Sequence, residues 1–192
     1  MRVYTVGHST RSCQALLALL RDAEVQLVAD VRAFPSSRRH PQFNRRALAA
    51  WLPRSGIRYE HLPELGGRRS PLPGSPNGGW RETGFQGYAD YMASPEFQRA
   101  LANLDALARE CVTAIMCAEA VWWRCHRRLI ADALAARGWR VQHLGIGDRM
   151  AEHVFTDFAE VGPGGLLQYP PAQPPLPEAA SSGPGDALAR GV

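Results

Sequence analysis

The sequence contains no lysine, so arginine supplies all 22 of its strongly basic side chains. The chain is also rich in alanine, glycine and proline, which indicates a compositional bias. A net charge of +4 is therefore weak evidence, taken alone, for a nucleic-acid partner. The local distribution of arginine is more informative than the net charge. The segment from Arg32 to Arg58, both included, contains seven arginines and no acidic residue. That run is typical of a phosphate-facing rim or of a solvated basic surface.

Long apolar runs are also missing. No stretch approaches the ~18 apolar residues that a membrane-spanning helix needs. The opening segment MRVYTVGHST lacks the apolar region and cleavage site of a signal peptide. We therefore expect a cytoplasmic protein that does not associate with membranes.

Cysteine is scarce, with four residues at irregular spacing: Cys13, Cys111, Cys117 and Cys125. This is too few for the disulfide framework of a small secreted protein. In a reducing cytosol we expect free thiols, and any special role for them is catalytic or metal-binding.

Short apolar segments alternate with helical patterns along the chain, which predicts an α/β fold. Strands are predicted over 2–7, 26–33, 57–62, 112–119 and 139–145. A helix capped by Ser12 is predicted to run through Val25. Further helices are predicted over 45–55, over 87–110 with a break at Ser94-Pro95, and from about 122 to 138. Residues 63–87 are rich in glycine and proline and are expected to form a long binding loop or an insertion.

The expected architecture has three layers, with helices on both faces of a mostly parallel sheet of about five strands. A single domain is predicted over 1–162. Residues 163–192 are rich in proline and glycine, and we expect a disordered tail there.

Polar side chains follow each predicted strand, where ligands bind in open parallel sheets. The predicted catalytic set is His8, Asp30, Cys117, Glu119 and Cys125. The predicted substrate- or phosphate-binding set is Ser9, Arg32, Ser36, His126 and Arg127. His8 is a candidate general base oriented by Asp30, or a structural histidine. No metal ligand set is assigned.

The segment CAEAVWWRCHR, from Cys117 to Arg127, is the densest in reactive groups. A helix that starts near 122–124 would place Cys125 and His126 in its first turns. The free backbone N–H groups there favour an anion and lower the pKa of a cysteine. The segment is therefore predicted to bind phosphate, to hold a reactive thiolate, or both.

Spacing argues against two familiar alternatives for this segment. A cysteine phosphatase loop needs arginine six positions after the cysteine, but Trp123 and Ala131 occupy those positions. Structural zinc is disfavoured because C-x7-C-H is not a standard finger spacing and no second pair of cysteines follows.

The motifs together resemble the domain of unknown function 488 family. They are Gly7-His8-Ser9, Asp30-Val31-Arg32 with Pro35 and Ser36, Pro41-x-Phe43, Tyr59-x-His61-Leu62-Pro63-x-Leu65-Gly66-Gly67, Cys117-Ala118-Glu119 and Cys125-His126-Arg127. They span about residues 3–145. The resemblance implies a compact α/β fold with polar motifs at the strand ends, and it implies no particular reaction or cofactor.

Three functional hypotheses follow. The leading one is a cytoplasmic enzyme, of hydrolase or transferase type, that acts on a phosphate-bearing small molecule such as a nucleotide, or on nucleic acid. The second is a non-catalytic nucleic-acid-binding module that uses the arginines of 32–58. The third is a thiol-redox or metal-binding protein.

Overall fold

The computed structural model describes residues 1–146 and 149–172. One sheet contains the strands β1 (Arg2–Gly7), β2 (Leu27–Asp30), β3 (Arg58–His61), β4 (Thr113–Cys117), β5 (Arg140–Ile146) and β6 (Arg149–Glu152). Their order across the sheet is β3-β2-β4-β1-β5-β6. The first five in this order are parallel, and β6 runs antiparallel to β5 at the edge.

The α-helices of the described chain are α1 (Cys13–Asp22), α2 (Arg45–Arg54), α3 (Thr83–Met92), α4 (Pro95–Glu110) and α5 (Arg127–Ala136). Two of them begin at serine caps. Ser12 Oγ accepts from the backbone N–H of Ala15 at 3.1 Å, and Ser94 Oγ accepts from that of Phe97 at 3.2 Å. Each cap contributes roughly 1 kcal/mol by pairing a free N–H group of the first turn. None of these helices is long and apolar enough to cross a membrane.

Side chains that alternate along the strands form two cores, one on each face of the sheet. Val28 and Met116 pack with α1 and α2. Their strand neighbours Ala29 and Ile115 pack with α3, α4 and α5 on the opposite face. The predicted mostly parallel α/β sheet is confirmed, and helices cover both of its faces.

The long predicted loop is shorter than expected. It forms a 3-10 turn at Pro63–Leu65, and α3 already begins at Thr83. The predicted break at Ser94-Pro95 separates α3 from α4, because proline lacks the N–H needed inside a helix but fits its first turn.

The last predicted helix begins later than expected. Residues Trp122–Arg124 form a 3-10 turn, Cys125 is extended, and α5 starts only at Arg127. Cys125 and His126 therefore precede the helix instead of lying in its first turns. Trp122 stacks on His143 of β5 and keeps the chain close to the sheet before the helix begins.

Regular secondary structure continues past residue 162. Strands β7 (Glu160–Val161) and β8 (Leu167–Gln168) form an antiparallel pair. Leu167 and Tyr169 are buried in the core on the sheet face that carries α3, α4 and α5. The remainder of the predicted tail, 173–192, lies outside the described residues.

Candidate functional site

Two buried cysteines meet where β4 ends. Cys117 is the last residue of β4 and lies beside Gly7 of β1. Its side chain faces the core formed with α3, α4 and α5, which also contains Cys125. The two sulfur atoms and one ring nitrogen of His126 all lie within 4.8 Å of one another. The fold thus brings together three groups from the C-x7-C-H pattern.

The imidazole of His126 is held in one tautomer. Its Nε2 lies 3.1 Å from the backbone carbonyl of Val31, which can only accept, so Nε2 carries the hydrogen. Its Nδ1 is then free to accept, and it lies 3.6 Å from Cys125 Sγ. The ring of Tyr88 packs on the imidazole at 5.2 Å between centroids. Cys125 therefore has a proton acceptor that is fixed in orientation.

The two thiols differ in acidity. The hydrogen bond from Cys117 lowers the pKa of Cys125 well below its usual value, and contacts with His126 and Arg127 lower it further, against the effect of burial. The pKa of Cys117 is raised, first by its hydrogen bond to Cys125 and then by burial. Of the two thiols, Cys125 is the more acidic, because its sulfur contacts the imidazole.

A buried guanidinium lies beside this pair. Arg127 is 1% exposed. Its NH2 donates to the backbone carbonyl of Glu119, and its NH1 donates to Thr5 Oγ1 at 3.3 Å. Its Nε has no hydrogen-bond partner in the part of the chain that the structure describes. Within the described residues no carboxylate lies at salt-bridge distance from Arg127, so its charge is free to stabilise a nearby thiolate.

A chain of hydrogen bonds leads from Arg127 to a buried carboxylate. Thr5 Oγ1 lies 2.7 Å from His143 Nδ1, His143 Nε2 lies 3.1 Å from His153 Nδ1, and His153 Nε2 lies 2.8 Å from Asp132. Arginine can only donate and an ionised carboxylate can only accept, which favours donation in one direction along the chain. We call these five residues the buried chain. It links a cation at one end to an anion at the other.

Residues outside the sequence-predicted set anchor the buried chain. Asp132 accepts hydrogen bonds from Thr156 Oγ1 at 2.7 Å and from Tyr169 OH at 3.0 Å. Trp122 stacks on His143 with centroids 4.1 Å apart and the rings nearly parallel. Tyr169 belongs to the segment that was predicted to be a disordered tail, and no local sequence pattern marks its contact with Asp132.

His8, Asp30 and Arg32 form a second hydrogen-bond network. Arg32 binds both carboxylate oxygens of Asp30, at 2.8 and 2.6 Å, and its NH1 lies 2.9 Å from His8 Nε2. Tyr59 OH donates to the same carboxylate at 2.7 Å. Asp30 thus orients Arg32 instead of His8, in contrast to the predicted acid–base pair.

His8 has no ring nitrogen free for acid–base work. Nδ1 lies 3.0 Å from the backbone carbonyl of Ser9, and Nε2 accepts from Arg32. Burial lowers the pKa of His8 to about 4, so the ring is neutral at pH 7. This arrangement fits a structural histidine.

A cavity of about 600 Å³ opens beside the cysteines. Six of the predicted site residues line it: Arg32, Ser36, Cys117, Glu119, Cys125 and His126. Four do not line it: His8, Ser9, Asp30 and Arg127. Ser9 instead donates its backbone N–H to Ala118 at 2.9 Å, which fixes the turn after β4.

Other lining residues were not selected from the sequence. Arg68 and Arg124 are exposed cations at the cavity, and Phe34 is 77% exposed there. Glu82 contributes an acidic group from the residue before α3. The arginine-rich loop after 63 was the available signal for Arg68, but nothing in the sequence ties that loop to the cysteines.

Two glycines let this loop cross the site. A Cβ on Gly67 would lie 2.9 Å from His126 Nδ1, and one on Gly66 would lie 2.7 Å from the Cβ of Ala33. Gly7 is tighter still, because a Cβ there would overlap the carbonyl of Glu119 that Arg127 binds. The glycines of these motifs are therefore required by the close approach of one chain segment to another.

Residues 12–134 match the family model for Domain of unknown function DUF488. The chain belongs to the DUF488 family. The DUF488 match includes Cys117, Cys125, Gly66 and Gly67. His143, His153 and Tyr169 lie beyond it. Searches of curated proteins and of solved structures each returned no significant match.

Proposed function

We propose that this DUF488 protein is a cysteine-dependent enzyme of hydrolase or transferase type, and that it acts on a phosphate-bearing small molecule such as a nucleotide, or on nucleic acid. The observation that carries the proposal is the contact between Cys125 Sγ and His126 Nδ1 at the wall of an open cavity. A nucleophilic thiol needs an adjacent base whose orientation is fixed by a third group, and the carbonyl of Val31 is that group.

The proposed first step uses only groups in contact. The Cys125 thiol transfers its proton to Nδ1 of His126, whose Nε2–H remains on the carbonyl of Val31. The thiolate forms a bond to the substrate electrophile as the bond to the leaving group breaks. The imidazolium then returns its proton to the leaving group. Arg127 and the Cys117 thiol stabilise the thiolate before attack.

Three cavity residues support an anionic, ring-containing substrate. Arg68 and Arg124 are exposed at the cavity and can bind phosphate oxygens. Phe34 presents an exposed ring on which a base can stack. Arg32 is a weaker phosphate ligand than its residue type suggests, because Asp30 neutralises it.

A substrate panel with matched cysteine variants tests the proposal. Nucleoside mono-, di- and triphosphates and short single-stranded oligonucleotides are incubated with the protein, and products are separated by chromatography. We expect turnover that Cys125→Ser abolishes and Cys13→Ser leaves unchanged, since Cys13 lies at the start of α1 away from the cavity. Full turnover by a folded Cys125→Ser variant refutes the nucleophile assignment.

The arginine-rich segment favours a second candidate, a non-catalytic nucleic-acid-binding module. Arg38, Arg39, Arg45 and Arg46 are all exposed. They follow Phe34 and Ser36, which line the cavity. This candidate predicts binding to single-stranded RNA or DNA that weakens steeply with salt and survives Cys117→Ser with Cys125→Ser. The cysteine-dependent enzyme predicts instead that the double variant binds but does not turn over substrate.

The proposed chemistry also bears on the cellular compartment in which the protein works. Cys117 and Cys125 must stay reduced for either sulfur to act as described, so we propose a reducing cytoplasmic location.

A further inference from the structure

Cys117, Cys125 and His126 have the donor atoms and spacing of a metal centre. We propose that they form a site for Zn²⁺ with three protein ligands and a fourth position open to the cavity. Cys117 Sγ, Cys125 Sγ and a ring nitrogen of His126 lie within 4.8 Å of one another, and all three residues line the cavity. The site binds zinc whether or not the proposed reaction occurs.

The distances fit tetrahedral zinc. With Zn–S near 2.3 Å and Zn–N near 2.0–2.1 Å, a tetrahedron places sulfur and nitrogen ligands roughly 3.5–3.6 Å apart and two sulfurs roughly 3.8 Å apart. The contact between Cys125 Sγ and His126 Nδ1 is already 3.6 Å. The remaining separations are at most 4.8 Å, so the two sulfurs need to close by no more than about 1 Å, and Cys117 Sγ and the His126 nitrogen by no more than about 1.3 Å.

The surroundings of His126 are those of a metal ligand. Its Nε2–H donates to the backbone carbonyl of Val31, the outer-shell contact that fixes the tautomer of zinc-bound histidines. Its Nδ1 lone pair is therefore directed to the cysteines. Gly67 crosses close to Nδ1 without a side chain that would crowd the ring.

The charges favour a soft divalent ion. Two thiolates and Zn²⁺ sum to zero, so the loaded site adds no net charge beside the buried guanidinium of Arg127. Thiolate ligands select zinc over Mg²⁺ or Ca²⁺, which prefer oxygen. The C-x7-C-H spacing does not fit a closed four-ligand zinc finger. It is compatible with an open three-ligand site, because the fold brings the three ligands together.

Zinc and the proposed nucleophile exclude one another. Metal binding occupies the Cys125 lone pair that would attack the substrate. This consequence, unlike the site itself, rests on the proposed function, and it makes zinc a reversible inhibitor.

The test is zinc binding to the full chain, reduced and stripped of metal. Zinc is added against a chromophoric chelator, and the four thiols are counted with a thiol reagent before and after. We expect one zinc per chain and protection of two thiols. Cys117→Ser and Cys125→Ser should each weaken binding by more than the roughly 10–100-fold cost of losing an outer-shell partner. Cys13→Ser and Cys111→Ser are the matched controls and should bind as the parent does.

Substitution with Co²⁺ gives a readout that does not depend on activity. Thiolate coordination produces an intense near-ultraviolet charge-transfer band, which we expect in the parent and expect to weaken in Cys117→Ser. The thiol count in the parent protein keeps the test decisive if a variant fails to fold. Four thiols that react equally with and without zinc, or a cobalt band that Cys117→Ser leaves unchanged, overturn the site. Loss of turnover in the substrate panel bears only on the proposed reaction.

Discussion

Replacing Thr5 by valine breaks the buried chain at its link to Arg127. Valine has nearly the same shape as threonine, so the change removes the hydroxyl group without leaving a cavity in the core. Two buried groups lose their partner: Arg127 NH1, at 3.3 Å, and His143 Nδ1, at 2.7 Å. An unpaired buried polar group costs about 1–3 kcal/mol. Because the arginine contact is long, we expect the free energy of unfolding to fall by about 2–4 kcal/mol.

The same change should affect the thiol site, because Arg127 loses one of the two contacts that hold its guanidinium. A less firmly held guanidinium stabilises the Cys125 thiolate less, so the pKa of that thiol rises toward its ordinary value. The measurement is the rate of Cys125 alkylation by iodoacetamide across pH, with the modified residue identified by peptide mapping. We expect the midpoint of the profile to move to higher pH.

Thr5→Ser is the matched control, because it keeps the hydroxyl and removes one methyl group. It should cost only about 1 kcal/mol and leave the alkylation profile in place. Urea unfolding followed by circular dichroism supplies the free energies. If Thr5→Val unfolds like Thr5→Ser and shows the same alkylation midpoint, the buried chain does not position Arg127.

Two further predictions concern neighbouring parts of the site. A Cβ on Gly67 would lie 2.9 Å from His126 Nδ1, so Gly67→Ala should displace the imidazole and slow cysteine alkylation at pH 7. Gly84→Ala, where a Cβ meets nothing within 4 Å, is the control, and equal rates in the two variants would contradict the packing argument. Burial lowers the pKa of His8 to about 4 and that of His143 to about 3, so the unfolded chain binds more protons than the fold below pH 6.5. Stability should therefore decrease as pH falls from about 6.5 toward 4, by up to about 1.4 kcal/mol per pH unit for each histidine. Unfolding free energies that are equal at pH 7 and pH 5 would show that these rings are not held neutral.

Local patterns were sufficient for most of the fold. The strand at 2–7, the serine cap before α1 and the break at Ser94-Pro95 all follow from short-range chemistry, and the structure agrees with each. The start of α5 was predicted too early, because helix propensity does not register that Trp122 stacks on His143 and holds the chain against the sheet. Tyr169 was assigned to a tail because its burial depends on contacts with residues far away in sequence.

The sequence by itself determined which reactive groups lie at the strand ends, since parallel strands send their carboxyl ends to one edge. It also fixed Cys125 beside His126, because they are adjacent in the chain. Only the tertiary structure decided the roles. Long-range contacts paired Asp30 with Arg32. They left Arg127 buried with no carboxylate at salt-bridge distance among the described residues, and joined it through Thr5 and two histidines to Asp132. Acidity, tautomer and metal-binding geometry depend on such contacts between atoms, and residue order does not specify them.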